Sequence, residues 1–235
     1  SQLFADARFV ESMWHTAYFT VLAVVLPIVF GTAAALVFHR EFPFRGLLRT
    51  VFVMPMMATP VAVALVWTMM FHPQLGVLNY LLSLIGIGPQ PWVYDPATVI
   101  PTLILVEVWH WTPLVMLIVL GGLAGLPKEP YESALIDGAS DWHMFRHITL
   151  PLVWPFIMVA IVIRTIDALK AFDTIFVITQ GGPDNSTVTM VMAMFREAFT
   201  LFRLGNAAAI AITLLVVLIL VNAVQLALFR DREAA

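Results

Sequence analysis

The stretch 132-ESALIDGASDWHMFRHITLP-151 decides how the chain is to be read, because it is polar where its surroundings are not. It lies between two long apolar runs and carries carboxylates, a Gly, two His, an Arg and a terminal Leu-Pro. The spacing predicts two short helices over 128–148 with a break at Gly138, a residue that tolerates a left-handed turn. Pro130 suits a first helical turn, and Glu129 and Glu132 suit the positive end of a helix dipole. Ala134, Leu135 and Ala139 give the first helix a small, weakly apolar face. Past the break, Trp142, Phe145 and Ile148 recur every three residues as an apolar stripe, and Leu150-Pro151 opens the next run. A merely solvated loop needs no such stripe. A short helix with small side chains, projecting from a membrane, suits insertion into a groove on a partner.

The rest of the chain supplies the membrane. Of its 235 residues 61% are hydrophobic and only 11% charged, with mean hydropathy +0.93. Soluble domains are nearer 45–50% apolar and about 25% charged, so a bilayer is the expected solvent. The net charge of −3 gives no reason to expect a nucleic-acid partner, and the absence of Cys excludes disulfides and thiolate metal sites. Five apolar runs, at about 18–38, 50–71, 97–120, 151–171 and 205–229, reach the roughly 20 residues a spanning helix needs. A soluble bundle would show polar outer faces at helical period, and 207-AAAIAITLLVVLILVNAVQLALF-229 has none.

Lys and Arg set the expected orientation. Arg40, Arg45, Arg49, Lys128, Arg146, Arg230 and Arg232 share one side, while Arg8, Arg196 and Arg203 lie on the other. The richer side is the cytoplasmic one, and it holds the opening stretch and the C-terminus. The N-terminus then lies outside without a signal sequence, so a further spanning helix is expected to precede Ser1 in the full protein. Residues 5–15 read as an interfacial helix. Pro27, Pro55, Pro60 and Pro113 fall inside runs, either bending helices or simply reflecting how common Pro is in membrane helices. The outer loops are 72–96, rich in Pro and Gly, and 173–204, with a Gly-Gly-Pro turn and a helix that Ser186 or Thr187 caps.

The opening stretch resembles the EAA loop of permease subunits in bacterial binding-protein-dependent ABC importers. That pattern is Glu-Ala-Ala, three residues, Gly, nine residues, Ile, one residue, Leu-Pro. Here it reads Glu132-Ser133-Ala134, three, Gly138, nine, Ile148, Thr149, Leu150-Pro151, with Ser133 the one departure. Asp137 and Ala139 match the Asp-Gly-Ala form of the loop. The stretches 43–79 and 172–183 resemble the carbohydrate branch, the maltose-permease-like subunits, in which a first core helix precedes a stretch like 8-RFVESMWHTAYFT-20.

The resemblance implies an all-α, polytopic type I permease core with five of its six core helices present, and a coupling loop at 128–150. It implies a cell-membrane location, a second permease subunit, two ATP-binding subunits and an extracytoplasmic solute-binding protein that delivers a sugar or polyol to the outer loops. Glu132, Ser133, Ala134, Asp137, Gly138, Ala139, Trp142, Phe145, Leu150 and Pro151 would carry the ATPase coupling. The chain has no Gly-rich phosphate loop, so ATP and its Mg would bind the partner; no cofactor, metal or catalytic residue is expected in the chain itself.

Ionisable groups inside spans cost at least ~2.5–3.5 kcal/mol and are functional candidates. Three stand out: Glu107, and Arg164 with Asp167, which sit three apart and can pair on one helix face. His110 and Trp111 lie close to Glu107. Aligned on the EAA loop, Glu107, His110, Trp111, Arg164 and Asp167 fall at or beside the family's sugar-contacting positions. The alternatives for Arg164–Asp167 are solute contact and a gate or helix lock; for Glu107 they are solute contact and pairing with Arg164 or the second subunit. Lys170 and Asp173 read as marking the outer interface, with Lys170 snorkelling. A different class, an ion-coupled secondary transporter using Glu107, Arg164 and Asp167 as a relay, usually carries internal repeats, and none is visible. An intramembrane enzyme would need a nucleophile or metal constellation, which the spans lack.

Overall fold

The computed structural model describes residues 6–233, and among these every regular element is helical. Helix α1 (Ala7–His39) opens on Asp6, whose side chain accepts the backbone N–H of Arg8 at 2.9 Å. The expected interfacial helix and first span are one rod, because no Gly or Pro separates them. At 33 residues it is about 50 Å long.

The run at 50–71 is interrupted. Helices α2 (Arg45–Met57) and α3 (Pro60–Met70) meet at 98°. Pro60 drives the residue before it out of helical geometry, and Ala58 and Thr59 are both extended. Thr59 then caps α3 by accepting the Ala62 N–H at 3.4 Å. A short helix α4 (Val77–Leu84) follows, and its buried Asn79 holds the next loop. The Asn79 amide donates to the carbonyls of Pro73 and Gln90 and accepts from Gln90 N and Trp92 Nε1, all within 2.8–3.1 Å.

Helix α5 (Pro96–Ala124) is the centre of the bundle and packs lengthwise on α1. Helices α6 (Glu129–Ile136) and α7 (Asp141–Met144) form the polar insert. A π-helical turn (Phe145–Thr149) runs without a break into α8 (Leu150–Leu169). Helix α9 (Asp173–Thr179) folds against α3, and α10 (Met190–Phe195) leads through a second π turn to α11 (Leu204–Glu233). Side chains from Arg230 onward, including Arg230 and Arg232 of the orientation count, lie outside the described ones. Four of these helices are long and apolar enough to cross a membrane, and the bent α2–α3 pair adds a fifth.

Among the described residues the apolar core falls into two large clusters and a small third one of Phe9, Met190 and Ile210. One large cluster joins Phe19, Trp67, Phe71, Leu103, Ile175 and Met192; the other joins Phe38, Val115, Met116, Val119, Val153 and Ile157. On α5 the first cluster ends at Val106 and the second begins at Val115, so Glu107, His110 and Thr112 are buried between them. Helices approach closely where side chains vanish. A Cβ on Gly31 would lie 2.6 Å from Val115 Cβ, and one on Gly122 would lie 2.4 Å from the Phe156 ring. Helix α11 is the least buried of the spanning helices, and its Gln225 donates to Thr165 Oγ1 at 2.9 Å.

Candidate functional site

Two interrupted helices face each other at the polar layer. The α2–α3 break ends on Pro60, and the α8–α9 break spans Lys170 to Phe172. Between them lies a cavity of about 360 Å³. Irregular backbone at membrane depth is stable only where it is buried in protein or lines a cavity, and both breaks do the latter.

Arg164 anchors the cavity wall. It is 1% exposed, Glu107 is 4% exposed, and Nη2 of the guanidinium donates to Glu107 Oε2 at 3.0 Å. The same nitrogen donates to the Ala23 carbonyl at 3.2 Å, and Cζ lies 4.8 Å from the Trp111 ring centroid. One side chain of α8 thus touches both α5 and α1. Arg164 Nε and Nη1 have no hydrogen-bond partner among the described residues. A buried charge is tolerable only when paired and hydrogen-bonded, so Glu107 and Arg164 depend on each other.

The expected Arg164–Asp167 pair does not form. Asp167 instead pairs with Lys170 at 3.1 Å, and both are partly exposed. Asp167 has equal spacing to Arg164 and Lys170, so sequence alone cannot choose. Burial does: Glu107 is 4% exposed and takes the guanidinium, while Asp167, 30% exposed at its side chain, takes the ammonium. Lys170 and Asp173, expected to mark the outer interface, both line this cavity. The cause is α9, whose Ile175 and Ile178 belong to the first core cluster and draw residues 173–179 into the bundle.

Of the five residues expected along the solute pathway, Glu107, Trp111, Arg164 and Asp167 line one cavity. His110 does not. Its Nε2 is 3.3 Å from the Ala58 carbonyl. A carbonyl only accepts, so Nε2 carries the proton and satisfies a backbone group released by the α2–α3 break. The sequence reading missed Pro60, Lys170, Ala171, Phe172, Asp173 and Thr174 as lining residues. One signal was available for two of them: Arg164, Asp167, Lys170 and Asp173 recur every three residues.

The polar insert stands away from the bundle. No residue of α6 is buried; Leu135 is 61% exposed, Ile136 87%, and Trp142 67%. Glu132, Ser133 and Asp137 are exposed as well, while Ala134, Ala139, Phe145, Ile148 and Leu150 are half-buried. The end of α6 is a Schellman turn: Ala139 N–H bonds the Ala134 carbonyl at 2.9 Å, and Gly138 N–H bonds Leu135 at 3.1 Å. Gly138 takes φ +74°, with nothing within 4 Å of where a Cβ would be. The hydroxyl of Tyr131 donates to Thr149 Oγ1 at 3.0 Å and ties α6 to the base of α8. An open cavity of about 670 Å³ otherwise parts the insert from the ends of α1 and α5.

Residues 27–233 match the family described as binding-protein-dependent transport system inner membrane component. The chain is 35% identical over 227 residues to the trehalose/maltose transport system permease protein MalF of Thermococcus litoralis, covering 95% of this chain and 77% of that protein. It is 32% identical over 232 residues to the sulfoquinovosyl glycerol transport system permease protein SmoG of Agrobacterium fabrum, covering 98% and 75%. Among solved structures, a bacterial ABC transporter involved in the import of the acidic polysaccharide alginate superposes with TM-score 0.89 at 24% identity, over 98% of this chain and 82% of that one. At that identity the likeness is one of fold.

Proposed function

Because this chain belongs to the family of binding-protein-dependent transport system inner membrane components, we propose that it moves a di- or oligosaccharide or polyol, of the trehalose or maltose type, by alternating access. Its motion is driven by a separate ATPase through residues 128–150, with ATP and Mg on that partner. A second permease subunit completes the pathway, and an extracytoplasmic binding protein delivers the solute. The insert and the C-terminus face the cytoplasm.

The observation that carries this reading is the exposed apolar face of the insert. Leu135, Ile136 and Trp142 project from a segment with almost no support of its own, which is the form of an element that docks into a groove. Its motion has a path inward. Asp141–Leu169 qualifies as one 29-residue span, through the π turn and α8. Arg164 lies about 35 Å from Asp141 along that rod. Tilting the insert therefore shifts the cavity wall and, through Arg164, loads α5 and α1 together. The Gly138 turn lets α6 swing with the partner while α7 stays aligned with the rod.

At the cavity, Glu107, Asp167 and Asp173 offer acceptors, Lys170 offers a donor, and Trp111 offers an aromatic face for a pyranose ring. The ion-coupled relay is disfavoured because Arg164 holds Glu107 directly at 3.0 Å. The test is uptake and ATP hydrolysis by the intact complex carrying Glu132→Ala or Gly138→Val. Assembled but uncoupled transporter is expected; uptake at the unaltered rate in both variants rejects the coupling role.

A further inference from the structure

We propose that the cavity selects an uncharged polyhydroxylated solute against anionic sugars, and that Asp167, Lys170 and Asp173 set this selection. The proposal rests on the solute-site reading above and adds the charge class of the solute and the residues that decide it.

Arg164, Asp167, Lys170 and Asp173 form a ladder at three-residue spacing with alternating sign, and all four line the cavity with Glu107 opposite. Arg and Lys side chains only donate, ionised carboxylates only accept, and a hydroxyl does both. Vicinal hydroxyls of a sugar or polyol can therefore bridge neighbouring rungs, one donating to a carboxylate and the next accepting from an ammonium. A carboxylate or sulfonate ligand accepts only. It needs an uncompensated cation, and the charge of both cations on the wall is already balanced by a carboxylate: Arg164 by Glu107 at 3.0 Å, Lys170 by Asp167 at 3.1 Å. An anion that takes a free donor of Lys170 must lie against Asp167, in a cavity that Asp173 also lines. The wall carries three carboxylates against two cations. A like charge placed against the wrong ligand is how a site rejects it.

The absence of Cys makes the test direct, because Ala171→Cys puts the chain's one thiol on the half-buried cavity wall. The intact complex in lipid nanodiscs is treated with a maleimide, and labelling of this chain is read by mass. Maltose, trehalose and sorbitol are compared as protectants with maltobionate and sulfoquinovosyl glycerol. The expected result is protection by a neutral solute at about tenfold lower concentration than by the anions. In Asp167→Asn, which frees Lys170, the ratio of anionic to neutral midpoints falls about tenfold; in Lys170→Gln, which frees Asp167, it rises. Both residues are partly exposed, and a folding defect does not move the ratio in opposite directions. Protection by the anions at equal or lower concentration, or a shift of the same sign in both variants, overturns the proposal. Protection by no solute in either class overturns the solute-site reading beneath it.

Discussion

Removing Glu107 alone should damage the protein more than removing Glu107 and Arg164 together. In Glu107→Leu the guanidinium keeps only the Ala23 carbonyl at 3.2 Å as a hydrogen-bond acceptor, beside the Trp111 ring, at a position 1% exposed, with Nε and Nη1 already without partners. Breaking a buried pair on one side costs about 3–5 kcal/mol, because the remaining charge is desolvated and uncompensated. For a chain of this length that is roughly 10 °C in melting temperature. Replacing both partners by apolar groups of similar volume, Glu107→Leu with Arg164→Met, removes both charges and is nearly neutral or stabilising by about 1–4 kcal/mol. The assay is a double-mutant cycle on the purified complex, read by thermal unfolding. A coupling energy of at least about 2 kcal/mol is expected. Single variants that lose less than about 1 kcal/mol, or a double variant that loses the sum of the singles, would refute the paired, desolvated site. Transport is expected to fail in the double variant even where stability returns.

Three smaller predictions follow from single contacts. Gly122→Ala should destabilise by about 1–3 kcal/mol, since its Cβ would meet the Phe156 ring at 2.4 Å, and Phe156→Leu should restore much of the loss in thermal unfolding. Asn79→Ala should leave the spanning helices intact but release the loop at 85–95, read as faster hydrogen exchange at Gln90 and Trp92, the two donors its Oδ1 now accepts from. His110→Phe leaves the Ala58 carbonyl unpaired at the helix break, and it should cost about 1–3 kcal/mol of stability without changing solute selectivity, since His110 does not line the cavity.

The helices were legible because the bilayer forces one signal: long apolar runs with few charges. The insert was legible because its polar residues and its Gly stand out from that background. The bend at Pro60 was half legible, since Pro marks a possible break but not its angle of 98°. Pairing was not legible. Asp167 sits midway in sequence between Arg164 and Lys170, and only the approach of α5 to α8 assigns Arg164 to Glu107. The fate of α9 was hidden for a similar reason. Its sequence, 173-DTIFVIT-179, is too short to read as a spanning element, and only packing against α3 brings Lys170 and Asp173 to the cavity. Alignment on the EAA loop put His110 at or beside the solute-contacting positions, yet its ring turns to the carbonyl that the broken helix leaves behind.

The most direct measurement is the side from which the cavity thiol is reached. With Ala171→Cys in sealed vesicles of known orientation, an impermeant reagent is applied from one face at a time, with and without ATP and Mg supplied to the partner ATPase. Labelling should move from one face to the other between the two conditions, and Gly138→Val should abolish that dependence while leaving the complex assembled. Labelling from the same face in both conditions, or an unchanged response in Gly138→Val, would contradict a cavity whose opening is set by the insert at 128–150.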